Sequence, residues 1–133
     1  MLNKFDLLVV IPAFNESETI ELVVSELVGL SFKVLVIDDA STDNTNGISS
    51  SLGAEVLFND NNIGYEASVN KGFEFALKKD FKYLITIDAD NQMNVSDVTR
   101  FFNLLSDQDF DLIIGKRDRK NRLIEYPLSI FGK

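Results

Sequence analysis

Short unbroken apolar runs alternate along this chain with longer stretches in which apolar residues recur at helical spacing. Leu7-Leu8-Val9-Val10-Ile11 is apolar at every position, as a strand buried on both faces must be, and Pro12, unable to donate to a central ladder, is expected to close it. Asn15 is then expected to cap a helix with Glu18 as its capping-box partner, and Ile20, Val23, Val24, Leu27 and Val28 form its apolar face through about Leu30. Val34-Leu35-Val36-Ile37 repeats the buried-strand pattern and gives way to Asp38-Asp39-Ala40-Ser41-Thr42-Asp43. A short helix carrying Ile48 and Leu52 ends near Gly53, and Ala54–Phe58 reads as a third strand close to a sheet edge. Asn59–Gly64 is a loop of turn formers that tolerate left-handed backbone angles.

A second long helix begins near Tyr65, with Val69, Phe73, Ala76 and Leu77 at helical spacing and Lys78-Lys79 complementing its negative C-terminal end. Gly72 within it reads equally well as a tight packing contact or as room left for a ligand. Tyr83-Leu84-Ile85-Thr86-Ile87 is expected to be the central buried strand, and it delivers Asp88-Ala89-Asp90-Asn91-Gln92. Val95, Val98, Phe101, Phe102 and Leu105 predict an amphipathic helix led in by Asn94 and Asp97. Asp111–Gly115 is a fifth expected strand, followed by the basic run Lys116-Arg117-Asp118-Arg119-Lys120-Asn121-Arg122.

Strands alternating with helices in this way predict an α/β protein: a three-layer, Rossmann-like, mostly parallel sheet with helices on both faces and right-handed crossovers. The loops at Pro12–Glu16, Asp38–Asp43, Asp88–Gln92 and Gly115–Arg117 would then open on one sheet edge, where ligands of open α/β sheets gather.

Composition narrows the chemistry. The 133 residues suffice for one domain with a real core, and a formal charge of -8 argues against nucleic acid as the main partner. The chain has neither Cys nor His, which excludes disulfides, thiolate nucleophiles, histidine triads and cysteine or histidine zinc sites. Carboxylates, Lys, Arg, Tyr, amides and a bound ion remain. No apolar stretch approaches a membrane span and the N-terminus has no signal-peptide layout, so the sequence reads as cytoplasmic in character. Asp88 and Asp90, two residues apart at a strand end, suit a Mg²⁺ or Mn²⁺ ion that also holds phosphate oxygens. Taken alone the pair is ordinary turn chemistry; three other polar strand ends favour a metal-bridged diphosphate site. The basic run reads as a phosphate clamp, or as a solvated or partner-facing loop.

Val10-Ile11-Pro12-Ala13-Phe14-Asn15-Glu16, Val36-Ile37-Asp38-Asp39-Ala40-Ser41-Thr42-Asp43, Asn62-Ile63-Gly64, Ala67 with Asn70 and Gly72, and Asp88-Ala89-Asp90-Asn91-Gln92 resemble the successive motifs of family 2 glycosyltransferases with the A-type nucleotide-sugar fold. The resemblance runs from about Leu7 to Arg117. Asp-Ala-Asp-x-Gln with Gly115-Lys116-Arg117 is most similar to the dolichyl-phosphate mannose synthase and polyprenyl-phosphate sugar transferase branch. It implies an inverting, metal-dependent transfer of a sugar from a nucleoside-diphosphate sugar to a polyprenyl-phosphate or glycan acceptor. By the same resemblance Pro12, Ala13, Phe14 and Glu16 would wall the nucleobase pocket, Glu16 and Asp38 would accept hydrogen bonds from base or ribose, and Asp39 would lie beside them. Asn62, Gly64 and Asn70 would belong to the same nucleotide-sugar site. Asp88 would contact the ribose or the metal, and Asp90 would be the principal metal ligand. Gln92 would help place metal or sugar, and Arg117, with Lys116, would neutralise the phosphates.

Domains of this family are usually longer, so the resemblance implies residues 1–133 to be a single domain incomplete at its C-terminus, with Leu123-Ile124 and Tyr126–Phe131 apolar enough to continue or dock. In the lipid-phosphate branch an arginine precedes a serine by four residues; Ser129 matches that serine, but Glu125 stands at the arginine's place, with Arg122 as the nearby replacement. Peripheral association with the inner face of a membrane, and oligomerisation, stay open. Two alternatives also stay open: a module that binds donor without turning it over, and a sugar nucleotidyltransferase, which would need a glycine-rich basic loop after the first strand that this chain lacks.

Overall fold

All of Leu7–Ala13 is buried (β1), because this strand has a hydrogen-bonded neighbour on each side. The computed structural model describes residues 2–107 and, as backbone alone, the strands at 113–117 and 123–127. They fall into two units, Asn3–Val95 and one from Ser96 onward.

In the first unit β1 pairs in parallel with Lys33–Asp38 (β2) and with Tyr83–Thr86 (β4), and β2 pairs with Glu55–Phe58 (β3). The strand order is β3-β2-β1-β4. Ile20–Gly29 (α1) and Thr45–Ser51 (α2) follow β1 and β2, and Tyr65–Lys78 (α3) joins β3 to β4. The chain steps outward from β1 to β3 and then returns past β1 to β4. With right-handed crossovers, that reversal puts α3 on the opposite face from α1 and α2.

Strand alternation divides the core accordingly. Leu8, Val10, Leu35 and Ile37 pack with Ala76 of α3, joined by the half-buried Leu57, Phe75, Phe81 and Leu84. The intervening Leu7, Val9, Ile11, Val34 and Val36, all buried, face the α1 side, where Ile20, Val23, Val24 and Leu27 supply the helix's buried stripe. Each such side chain contributes about 1.5–3 kcal/mol relative to exposure. Gly72 is the contact point between α3 and β1: a Cβ there would stand 2.6 Å from Val10 Cγ1, so the packing half of the glycine's two sequence readings is met.

Four expectations change. Pro12 does not close β1, which continues through Ala13, paired with Asp38. Val10 C=O accepts from Ile87 N–H on the β4 side and Ala13 C=O from Asp39 N–H on the β2 side. Pro12, of Val10's parity, therefore turns its missing N–H toward the side where β4 has already ended, and no ladder bond is lost. Asn15 does not cap α1; it takes a left-handed backbone (φ 52°), and Thr19 is the residue before the helix. β4 is half-buried, and among the described residues β1 is its only partner. The fifth expected strand runs past Gly115: Asp111 and Leu112 lie outside the described residues, and Ile113–Arg117 (β5) pairs antiparallel with Leu123–Pro127 (β6), with Gly115 opposite Glu125.

The second unit also holds Ser96–Asp107 (α4), with Val98 and Phe101 buried and an Arg100–Asp97 ion pair at 3.0 Å on its surface. Asp118, Arg119, Lys120, Asn121, Arg122 and Ser129 lie outside the described residues. Among the described residues no helix is long and apolar enough to cross a membrane.

Candidate active site

A cavity of about 400 Å³ opens in the first unit where the strand order reverses, at the C-terminal ends of β1 and β4. Pro12, Ala13, Phe14 and Glu16 line it from the β1 side, and Asp88, Ala89 and Asp90 from the β4 side. Asp39 and then Asn62, Gly64, Tyr65 and Ser68 complete it. Four of these residues are acidic and none is Lys or Arg, so the lining attracts cations.

The turn after β1 is held by the loop after β2. Asn15 N–H donates to Ser41 Oγ at 2.9 Å, while Asn15 Oδ1 accepts from the Thr42 and Asp43 N–H groups at 2.8 and 3.3 Å. Glu16 N–H donates to Thr45 Oγ1 and Ser17 N–H to Asp43 Oδ2, each at 3.0 Å. Asp43 also accepts from the N–H and, in a short contact, the hydroxyl of Thr45. Burial pushes the Asp43 carboxyl up, but these donors, the Thr45 hydroxyl foremost, outweigh it and lower the pKa to about 2. Phe14 and Glu16 thus face the cavity from a turn fixed at several points.

Asp38 and Asp39 are neighbours with different tasks. Asp38 is fully buried; its Oδ1 accepts from Ser41 N–H at 2.9 Å and its Oδ2 has no partner among the described residues. Asp39, also buried, accepts from Ile63 N–H (2.8 Å) and Asn59 Nδ2 (2.9 Å) on Oδ1 and from Gly64 N–H (2.9 Å) on Oδ2. Burial raises the Asp39 carboxyl, yet the Ile63, Asn59 and Gly64 donors prevail and hold it below the usual carboxylate value. Asn59 extends the network to Ser68 Oγ at 3.3 Å and takes Lys71 Nζ on Oδ1 at 2.5 Å. Asp39 is therefore the post around which the loop at 59–64 wraps, and that loop delivers Asn62 and Gly64 to the cavity.

Beyond β4, Ile87 N–H donates to Val10 C=O at 3.1 Å and keeps the chain on the sheet up to Asp88. Asp90 Oδ1 accepts from Gln92 N–H at 3.0 Å, and Asn91 takes φ 59°, which an asparagine tolerates. The buried Ala89 turns its carbonyl to Thr19 Oγ1 at 2.8 Å. The Tyr65 phenol is pushed up by desolvation, by the charge of Asp88 and by its hydrogen bond to that carboxylate.

The family model for glycosyl transferase family 2 matches residues 8–125. The chain belongs to glycosyl transferase family 2. Among curated relatives, an uncharacterised protein of Methanocaldococcus jannaschii is 32% identical over 94% of this chain and 58% of its own length. A polyprenol monophosphomannose synthase of Mycolicibacterium smegmatis is 29% identical over 83% and 44%. An undecaprenyl-phosphate mannosyltransferase of Micrococcus luteus is 28% identical over 92% and 53%. This family 2 chain spans about half the length of these relatives. Among solved structures, glucosyl-3-phosphoglycerate synthase from Mycobacterium tuberculosis, in complex with Mn²⁺, UDP-glucose and phosphoglyceric acid, is 26% identical, with a TM-score of 0.53 over 62% of this chain and 32% of that one. The nucleotide-sugar transferase fold expected from the sequence is the fold found.

Pro12, Ala13, Phe14, Glu16, Asp39, Asn62, Gly64, Asp88 and Asp90, all expected at the site, do line one cavity. Asp38 lies buried outside its lining, and Asn70 and Gln92 are exposed residues that do not line it. Lys116 and Arg117 belong to β5, and their side chains lie outside the described residues. Tyr65, Ser68 and Thr19 were not anticipated. Tyr65 and Ser68 could have been found from their place in the first turn of a helix that follows Gly64; nothing local marks Thr19, whose partner is 70 residues away. Among the described residues no three acidic side chains form a closed metal cluster. An open pair, Asp88 and Asp90 in an acidic lining, is the arrangement that fits a hard cation completing its shell with phosphate oxygens and water.

Proposed function

We propose that this chain forms the nucleotide-sugar side of an inverting, metal-dependent glycosyl transfer with a polyprenyl phosphate as acceptor. The observation that carries this reading is the acidic crevice at the strand-order reversal, with Asp88 and Asp90 in its lining. The mannosyltransferases of lipid phosphates among the relatives support the acceptor class, and the Mn²⁺ and UDP-glucose of the solved neighbour support the donor class.

Pro12–Glu16 wall the nucleoside, with the exposed Phe14 ring offering a stacking face. Asp90, with Asp88, would hold a Mg²⁺ or Mn²⁺ ion, which when bound neutralises charge on the leaving diphosphate. Gln92 N–H fixes one Asp90 oxygen and leaves the other for that task. Lys116 and Arg117 would add positive charge to the phosphates. An acceptor oxygen bonds to the anomeric carbon as the bond to the diphosphate breaks, and a nucleoside diphosphate leaves. A phosphate acceptor is already an anion at neutral pH and needs no general base, which suits a chain without His. Such an acceptor would place the protein peripherally at the cytoplasmic face of a membrane.

Calorimetry of UDP and GDP with and without Mn²⁺ tests the donor site; no binding by either nucleotide would remove the proposal. Transfer of radiolabelled sugar to a polyprenyl phosphate tests the acceptor. Donor binding without transfer to it or to any glycan would favour a donor-binding module instead.

A further inference from the structure

We propose that Thr19 is a positioning residue, whose hydroxyl pins the Asp88-Ala89-Asp90 turn against the Glu16 wall and so sets how firmly a cation–diphosphate is gripped. The proposal rests on the donor-site reading above. Thr19 stands at the entry to α1, and its Oγ1 lies 2.8 Å from Ala89 C=O and 3.0 Å from Glu16 Oε2. Ala89 is the residue between the two carboxylates, and it is buried. A carbonyl there that lost its donor would lose a hydrogen bond that ties the turn to α1.

One hydroxyl carries one proton, so the Ala89 carbonyl and the Glu16 carboxylate, with the more distant Glu16 C=O at 3.4 Å, compete for it. A ligand donor that engages Glu16 frees that proton for Ala89, and the carboxylate turn tightens. Occupation of the nucleoside wall and preorganisation of the cation-binding turn are thereby linked through a single side chain. The backbone around the link is otherwise held: Thr19 N–H and Ile20 N–H both donate to Glu16 C=O, at 3.1 and 2.8 Å. Replacing the hydroxyl alone therefore perturbs the link and leaves the helix entry in place.

The test compares wild type, Thr19→Val, which keeps the shape and removes the hydroxyl, and Thr19→Ser, which keeps the hydroxyl. The first measurement is amide hydrogen exchange at residues 88–92 without ligand. Thr19→Val should exchange roughly tenfold faster there, with Thr19→Ser close to wild type. The second is the gain in UDP or GDP affinity produced by Mn²⁺, which should fall roughly tenfold in Thr19→Val and recover in Thr19→Ser. Unaltered exchange in Thr19→Val overturns the proposal, as does faster exchange with an undiminished Mn²⁺ gain. Faster exchange in Thr19→Val, in a wild-type protein that binds no nucleotide, upholds the pin and overturns the donor-site reading instead.

Discussion

Adding one methyl group at Gly72 tests whether α3 stands where it does because nothing larger fits. The Cβ of a Gly72→Ala variant would lie 2.6, 3.0 and 3.3 Å from Cγ1, Cγ2 and Cβ of Val10, against an optimum near 3.5–4.0 Å for carbon pairs. Val10 cannot yield: it is fully buried in β1, its backbone is paired with β2 and β4, and it has a β-branched side chain with few rotamers. α3 must instead retreat by about 1 Å. Overpacking of this kind costs about 1–3 kcal/mol, and two methyl groups inside contact distance argue for the upper half of that range. Alanine's better helix propensity returns about 1 kcal/mol, leaving a net loss of about 1–2 kcal/mol.

Urea denaturation followed by circular dichroism measures this directly, and a second background makes it decisive. In a Val10→Ala protein both methyl groups are gone and only the Cβ at 3.3 Å remains, so Gly72→Ala should there become neutral or stabilising by up to about 1 kcal/mol. The sign of the substitution reverses. Equal losses in both backgrounds, or a gain in the wild-type background, would refute the contact as the cause. Because Tyr65 and Ser68 line the cavity from the first turn of α3, the retreat should also weaken nucleoside-diphosphate binding.

Acid should loosen the turn after β1. The Asp43 carboxyl is lowered from 3.8 to about 2 in the folded protein, so its contribution is complete above about pH 4 and is lost as pH falls through about 2; denaturation midpoints measured across that window should drop in wild type and drop less in Asp43→Asn, where the lowered Asp39 carboxyl still titrates. Asp90→Ala should abolish the Mn²⁺-dependent part of UDP or GDP affinity by calorimetry while the thermal midpoint stays within a few degrees of wild type, since the side chain's hydrogen bond is to an exposed neighbour's N–H. Affinity like that of the wild type would remove Asp90 from the metal site.

The layered fold was legible because its signal is local and repeated. β1, β2 and α3 appear as runs whose period decides between strand and helix, and the polar residues that follow each strand mark the functional edge. What escaped depends on partners distant in sequence. Pro12 reads as a terminator until the early end of β4 shows that its missing N–H faces an unpaired edge. Asn15 followed by Glu18 has the spacing of a helix cap, yet Ser41, Thr42 and Asp43 bind Asn15 first and draw it into a left-handed turn. β6 is a short run after the basic stretch of sequence, and only its pairing with β5 identifies it.

The sharpest case is Asp38-Asp39, two identical side chains whose roles separate only in three dimensions. Asp39 lines the cavity, but both its oxygens are taken by the loop at 59–64, so it has little acceptor capacity left for a ligand. Asp38 keeps an oxygen without a partner among the described residues although it is covered. A base that reaches it must displace the cover, and the missing hydrogen bond to Oδ2 is what that displacement can gain. Neutral replacements should therefore behave oppositely. Asp38→Asn keeps an acceptor for Ser41 N–H and puts an amide at the place of the other oxygen, so stability should change by no more than about 1 kcal/mol while nucleoside affinity falls, with or without Mn²⁺. Asp39→Ala strands the donors of Asn59, Ile63 and Gly64 and should cost about 3 kcal/mol or more, with affinity falling only as far as the loop loosens. Paired denaturation and calorimetry of the two variants read both quantities, and undiminished nucleoside affinity in Asp38→Asn would assign Oδ2 to the protein's interior and not to its ligand.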